Sequence, residues 1–588
     1  MQGAEDELVR GDMVPILFPK LLELSRLDVC SLAFHNAGFD LACVEENVPS
    51  AREEVFRALE AGRVHCTETR ERLLDVARGT GRDDYSLKAL VRDRFDVEVD
   101  KSWQVGFEKL EGTPVEEWPS EAVSYAKDDA KWARLLFERQ IEDAKALRYN
   151  DFEGESARQT ASAFALRVVS NRGVVLDERR VEVELRQART MLADAETEVR
   201  AHNLFHPGKT TRNMKAVKEL VEASFPGDPP RTSPSAKHPQ GQIRTDAEVV
   251  AECDHPALRA YSRHQLLTKL VGTYLEPIAE RGAGPIHAGF ITLVNSGRTS
   301  SFKPNLQNLP RVGGVRECVV PREGYVFAFA DFDSQELRTL AQVCKFLCGK
   351  SVLADRYASD PDFDPHTLFA SQVLRISYEE GLARKRAGDP EFGKVRQRCK
   401  AANFGFPVGM APETFVRKCR KDGLDVSLRD AHELRRGWEV QWPEMQTYFS
   451  TVKGLIKSGY GTIRQLVSGR LRGGCDFTSA ANTFFQGLAA DASKNALFQV
   501  VKKCRLGEGG LAGSHVVLFL HDEIGIEAPV ESANDAALEL ALTMEEAMEE
   551  VCPDVPARCS PMLADRWSKK AKPVFDEDGR LVPWKEAA

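Results

Sequence analysis

Two acidic positions close apolar runs where a charge is costly. In "GYVFAFADFDSQELRTLAQVC", residues 324–344, a nearly continuous apolar strand pattern leads to Asp331 and then to a helical pattern. In "HVVLFLHDEIGIEAP", residues 515–529, two apolar runs flank Asp522 and Glu523, the pattern of a hairpin with both acids at its tip. A carboxylate at the end of a buried strand is expensive unless paired or metal-bound. Either acid alone could be an ordinary turn residue; two in one chain point to a shared site for two divalent ions. Ions about 4 Å apart can activate a nucleophile and hold a leaving group during in-line phosphoryl transfer. That chemistry needs an unprotonated carboxylate from each of two rigid elements, and a nearby cation lowers their pKa.

A second set lies in "GKVRQRCKAANFGFPVGM", residues 393–410. Arg396, Lys400 and Phe404 stand at i, i+4 and i+8, one helical stripe drifting about 40° per step. Two cations and a ring suit a nucleoside triphosphate: charge for phosphates, an aromatic face for base or sugar. The alternative is a solvated basic face over a core Phe. Pro407 should end or kink this helix. A third set is Asp40, placed after a short strand in "LAFHNAGFDL", with Tyr125 and Asp129 in "EAVSYAKDDAKWARLLFERQ". Tyr125 and Asp129 share a helix face. Asp40 and Asp129 could meet in space and bind a divalent metal through oxygen; the alternative is a cap acid and a structural acid–tyrosine pair.

The elements that must position these groups follow from patterning. Residues 1–145 mix short strands and helices, as in an α/β domain. A small N-terminal domain should join a larger C-terminal one near 145–155. Residues 178–203 have apolar positions at helical spacing, a long amphipathic helix, and 225–242 is a Pro-rich loop. From about 286, apolar strands alternate with helices rich in Arg and Lys. There is no internal repeat. The 588 residues (65.4 kDa) suffice for several cores, and 42% hydrophobic with 29% charged residues is a globular composition. No run of about 18 apolar residues suggests a membrane span. The acidic start "MQGAEDELVRGD" lacks a signal-peptide core. Thirteen cysteines without a CxxC pair suggest reduced thiols and a cytoplasmic location, not a disulfide framework or zinc site. The net charge of −9 gives no overall nucleic-acid footprint, but binding needs only a locally basic surface.

In order, these stretches resemble the family A DNA polymerases (the DNA polymerase I family), most closely the bacteriophage branch. "DFDSQELR" is similar to motif A, "RQRCKAANFG" to motif B and "HDE" to motif C. "SGRTSSFKPNLQNLPR" (296–311) and "NTFFQGLAAD" (482–491) resemble two further family stretches. "HNAGFD" and "YAKDD" are similar to the second and third motifs of DEDDy proofreading exonucleases. The fold implied is a multidomain α/β chain: a truncated RNase H-like exonuclease domain, then a right-hand polymerase. Its palm would be an antiparallel sheet with helices, its fingers mostly helical, its thumb helical. The implied domains are 1–145 exonuclease-like, 146–185 connector and start of palm, 186–285 thumb, 286–345 palm, 346–460 fingers and 461–588 palm.

The resemblance implies roles. Asp331, Asp522 and the Phe332 carbonyl would hold two Mg2+ ions, with Mn2+ able to substitute, and Glu523 would sit beside them. Arg396, Lys400 and His366 would hold the triphosphate, Lys400 also serving as proton donor to the leaving group. Phe404 would stack near sugar and base, and Glu336 would exclude ribonucleotides. Arg298 and Gln486, with Asn482 on the same helix, would contact DNA at the primer end, and Lys269 would grip duplex phosphates. The partners implied are primer-template DNA and dNTPs, with replisome proteins as candidates and no membrane.

The family's upstream Asp-x-Glu exonuclease motif is not found: 35 residues precede Asn36, and "AEDEL" at 4–8 has neither the spacing nor the strand. Asp40, Tyr125 and Asp129 are therefore expected to be a remnant in an N-terminally incomplete domain, with little or no proofreading. Other departures are Val408, where the family usually has Tyr, and Thr478, where it often has Arg. The activity expected is template-directed DNA synthesis in phage replication. The alternatives are a non-catalytic DNA-binding relic and a single-subunit RNA polymerase.

Overall fold

The apolar run around Asp331 becomes strand Tyr325–Phe332, an interior strand of a six-stranded sheet. The structure is a computed structural model describing residues 14–27, 30–99, 103, 106–209, 211–225, 227–282, 284–310 and 313–586. The strand order is His515–Leu520, Glu523–Pro529, Tyr325–Phe332, Cys559–Ala564, Leu581–Trp584, Val574–Phe575. Strand Tyr325–Phe332 pairs antiparallel on both sides, with Glu523 and Ser560 opposite Asp331. Its run is continuous rather than alternating because both faces are covered. Val326, Ala328, Ala330 and Phe332 enter the main core, whereas Phe327 and Phe329 enter a second core under the helices that follow residue 178.

The main core is roofed by helices Gln335–Cys348, Phe477–Leu506 and Ala533–Glu549. A helical block between Val352 and Ser458 packs on the same core, and in it helix Pro390–Gly405 carries the basic stripe. Pro407 lies in the 3-10 turn Phe406–Val408 that ends this helix, as the missing N–H requires. The long amphipathic helix spans Glu178–Ala201 and packs on Pro256–Lys269. The expected steps at 185/186 and 345/346 both fall inside continuous helices, Glu178–Ala201 and Gln335–Cys348.

The N-terminal part has a two-stranded parallel sheet, Leu32–Phe34 with Val64–Cys66, among helices. Helix Phe152–Arg172 joins it to the rest and is buried nearly all round. Among the described residues, no helix is long and apolar enough to cross a membrane.

Candidate active site

Asp522 lies in the tight turn between two paired strands, where Leu520 faces Glu523 and His521 takes φ 70°. Glu523 is not at the tip as expected. It opens the returning strand, because a two-residue turn leaves room only for His521 and Asp522. The Phe332 N–H donates to the Asp522 carbonyl at 3.1 Å, which fixes the turn against the end of the Asp331 strand. Burial pushes the Asp331 carboxyl above the usual carboxylate range, and the charges of Asp522 and Glu523 push it the same way. Asp331 Oδ1 is buried without a hydrogen-bond partner. Crowded acids with an orphaned oxygen fit a bound cation, which would supply the missing partner and the missing charge. Among the described residues no three His, Cys, Asp or Glu side chains group to hold a metal. The carboxylates that act on one another here are those of Asp331, Asp522 and Glu523.

The basic stripe meets helix Pro365–Leu374. Asp364 caps that helix, its Oδ1 accepting from the His366 and Thr367 N–H groups at 3.0 Å. Its Oδ2 accepts from Arg396 Nη2 and Lys385 Nζ, both at 2.8 Å. Burial works against ionisation, but Lys385 and Arg396 hold the Asp364 carboxyl well below its usual range. His366 is buried, and burial pushes its imidazole down to about 3, with Arg396, Lys400 and Lys385 adding to the shift. Asn403 Nδ2 donates to His366 Nδ1 at 3.0 Å. The neutral ring therefore carries its proton on Nε2, a donor suited to a phosphate oxygen. Phe404 packs on His366 with ring centroids 5.5 Å apart.

Glu336 stands in the first turn of Gln335–Cys348. Arg298 pairs with its Oε1, and Gln486 Nε2 donates to the same atom at 3.3 Å. Asn482 Nδ2 in turn donates to Gln486 Oε1 at 3.0 Å. Glu336, Phe404, Val408, Asn482 and Gln486 line one cleft of about 1010 Å³. Lys269 is exposed at the end of its helix and makes none of these contacts.

Comparison with known proteins gives the frame. A profile described as DNA polymerase family A matches residues 182–569. The chain belongs to DNA polymerase family A. It is 28% identical over 319 residues to DNA polymerase I of Caldicellulosiruptor bescii, covering 51% of this chain and 35% of that protein. It is 26% identical over 456 residues to DNA polymerase I of Deinococcus radiodurans, covering 74% and 43%. With DNA polymerase I of Aquifex aeolicus it shares 23% over 508 residues, 83% of this chain and 82% of the relative. The chain thus spans less than half the length of the first two relatives. Its fold is similar to the POL domain of Pol1 from M. smegmatis, solved in complex with DNA primer-template and dNTP. The TM-score is 0.63 at 22% identity, over 85% of this chain and 82% of that one. The family match covers Asp331, Glu336, Arg396, Lys400, Gln486 and Asp522 and leaves the N-terminal part outside it.

In that part the third set does come together. Asp40 lies in the first turn of helix Ala37–Asn47, after Asn36 in the left-handed region at φ 64°. Burial pushes its carboxyl up to about 6, and the charge of Asp129 pushes it further the same way. Tyr125 hydrogen-bonds Asp129 and opposes the upward push of burial there. Sequence reasoning missed Asp364, Lys385 and Asn403. Asp364–Pro365 is a readable helix start, with a capping acid before Pro at the first position. The pairing of Asp364 with Arg396, 32 residues on, has no local signal.

Proposed function

We propose that this chain is a template-directed DNA polymerase that adds deoxynucleotides to a primer 3′-hydroxyl, in phage DNA replication. The observation that carries the reading is the orphaned, buried Asp331 oxygen beside Asp522, on the strand that leads into the helix of Glu336. Two divalent ions, Mg2+ or in its place Mn2+, would be held by Asp331, Asp522 and the Phe332 carbonyl; they would supply charge neutralisation and an activated primer hydroxyl. Arg396, Lys400 and the Nε2–H of His366 bind the triphosphate, and Lys400 gives the departing pyrophosphate its proton. Phe404 packs beside the sugar and base. Glu336, fixed by Arg298 and Gln486, leaves no room for a 2′-hydroxyl, which favours DNA over RNA synthesis. Arg298, Gln486 and Asn482 contact the minor groove, where acceptors are alike in every base pair, and Glu523 lies beside the primer end. Lys269 contacts duplex phosphate, and helices 178–281 form the thumb around it.

On this reading proofreading is weak or absent and Asp40, Tyr125 and Asp129 are a remnant; the acids at 4–8 lie outside the described residues. A 5′-labelled primer on a longer template tests the whole reading. Extension with dNTPs that disappears in Asp522→Ala, with DNA binding retained, is expected. Binding without any extension by the parent chain leaves a non-catalytic relic, and preferential use of ribonucleotides leaves an RNA polymerase. An intact primer in the absence of dNTPs is expected if the Asp40 site is a remnant.

A further inference from the structure

The cleft that holds Glu336, Phe404 and Gln486 is not walled by the family A region alone. Arg72, Arg82 and Tyr85, all from the N-terminal part, line it as well. We propose that this corner is a platform for the unpaired template strand, 5′ of the base being copied. The inference rests on the polymerase reading above and adds a binding role for a part of the chain outside the family match.

Three observations support it. The first is that the corner is fixed to the cleft. Gly79 ends helix Thr67–Arg78 at φ 70°, and a Cβ there would lie 2.7 Å from the backbone of Gly473 and Gly474. The Gly473 N–H donates to the Val76 carbonyl at 2.9 Å. Leu73, Leu74 and Ala77 share a small core with Leu293 and Leu471. The loop at 473–476 then leads directly into helix Phe477–Leu506, which carries Gln486.

The second is the chemistry of the surface. The Arg72 guanidinium lies 3.9 Å over the Tyr85 ring, with Arg82 5.7 Å from the same ring. Both arginines keep about a fifth of their side chains exposed, 19% and 21%. Tyr85 Oη donates to Asp75 at 3.0 Å, which holds the ring in place. Glu68 pairs with Arg72 at 3.0 Å, and Arg82 pairs with Asp75 at 2.9 Å and with Glu71 and Asp93 at 3.1 Å each. The carboxylates cancel most of the net charge and leave planar guanidinium and aromatic groups. That is a surface for stacking unpaired bases rather than for gripping duplex phosphates.

The third is continuity. Lys418 and Arg472 line the same cleft and supply cations for the backbone of a strand running between the insertion site and the Tyr85 corner. A double-stranded segment has its bases stacked on one another and gains nothing from such a corner; an unpaired strand does.

The test uses the whole chain and two primer-templates with the same duplex, one with a single unpaired template nucleotide and one with ten. The parent chain is expected to bind the long overhang about fivefold or more tightly, the lower end for one stacked base. Arg72→Ala should bring the ratio of the two affinities close to one. In parallel, 5-iododeoxyuridine in the overhang, irradiated with the parent chain, should crosslink to the peptide that contains Tyr85. A ratio of one in the parent chain overturns the inference, as does a ratio that Arg72→Ala leaves unaltered. If Arg72→Ala does not fold, the crosslink decides: crosslinks confined to other peptides overturn it. A parent chain that extends primers yet ignores overhang length sinks only this inference, whereas one that extends nothing sinks the polymerase reading itself.

Discussion

Asp364 is the residue on which the proposed triphosphate side turns. It caps the helix of His366 and pairs with Arg396 and Lys385 at once. Lys385 keeps Asp364 paired when Arg396 is removed, so Arg396→Ala should fold. A charge-assisted contact to phosphate is worth about 1.5–3 kcal/mol. Arg396→Ala should therefore lower kcat/KM for dNTP roughly tenfold to hundredfold, measured by steady-state single-nucleotide insertion; an unchanged value would remove Arg396 from the triphosphate site. His366 gives a second prediction. Its folded pKa, about 3, lies below the ordinary 6.5. Between those values the unfolded chain takes up a proton that the folded chain refuses. The stability from neutral His366 is full above pH 6.5 and is lost as pH falls toward 3. His366→Gln should make urea stability fall less steeply between pH 6.5 and 4. The slope should not vanish, because burial also pushes His65 and His515 down to about 4. At this scale the sequence was informative where a residue type is costly in its local setting: Asp331 on an apolar strand, Arg396 and Lys400 one turn apart. It was silent on Lys385 and Asn403, whose partners lie on other helices.

At the scale of elements, helix Glu178–Ala201 was readable almost to its ends, because one face is apolar and the other wet. Strand Tyr325–Phe332 was readable as a strand with both faces covered. Helix Phe152–Arg172 was not, because its buried faces include Glu155, Gln159 and Thr160, so no apolar stripe marks it. Its polar residues are satisfied from far along the chain. Arg470 Nη1 donates to Glu155 and to Asp491, each at 2.6 Å, and Lys494 Nζ donates to Gln159 at 2.6 Å. These bonds join the helix to Phe477–Leu506 and so to Gln486. Arg470 is almost completely buried, with 2% of its side chain exposed. Arg470→Met would leave Asp491 without its guanidinium and Glu155 with that of Arg158 alone, at 3.1 Å on its other oxygen. Breaking a buried pair in this way costs about 3–5 kcal/mol. Burial and the charge of Arg470 hold the Lys494 ammonium down to about 7. In the variant Lys494 gains charge and offsets part of the loss, so the lower end of that range is expected. Urea unfolding followed by circular dichroism measures it, and a variant as stable as the parent would show that the ion cluster does not hold these helices together.

At the scale of the whole molecule, motif order gave the family. It did not give how the N-terminal part is seated. Periodicity reports which face of an element is buried, not what buries it, and the Val76–Gly473 backbone bond spans nearly 400 residues. The seat is built from helix Thr67–Arg78, the Gly79 turn and the 473–474 backbone, with Lys502 to Glu60 (2.6 Å) and Arg505 to Glu45 (2.7 Å) as further ties. Gly79 is its narrowest point. Its φ of 70° disfavours any side chain, and a Cβ would meet the opposing backbone at 2.7 Å. The left-handed conformation alone costs a non-glycine residue about 1–2 kcal/mol, and backbone cannot yield to the clash as a flexible side chain can. Gly79→Val should therefore lift the Arg72–Tyr85 corner off the cleft. Asp331, Asp522 and Arg396 lie outside this seat, so primer extension on a short overhang should persist. The segment between helices Ser120–Ala146 and Phe152–Arg172 should become more accessible. Limited proteolysis reads this directly, as faster cleavage between 146 and 152 in Gly79→Val than in the parent chain. Equal cleavage rates would mean that the N-terminal part is held by its remaining ties and that the glycine contact is incidental to its position. Faster cleavage together with a lost preference for long overhangs would place the platform and the seat in one mechanical unit.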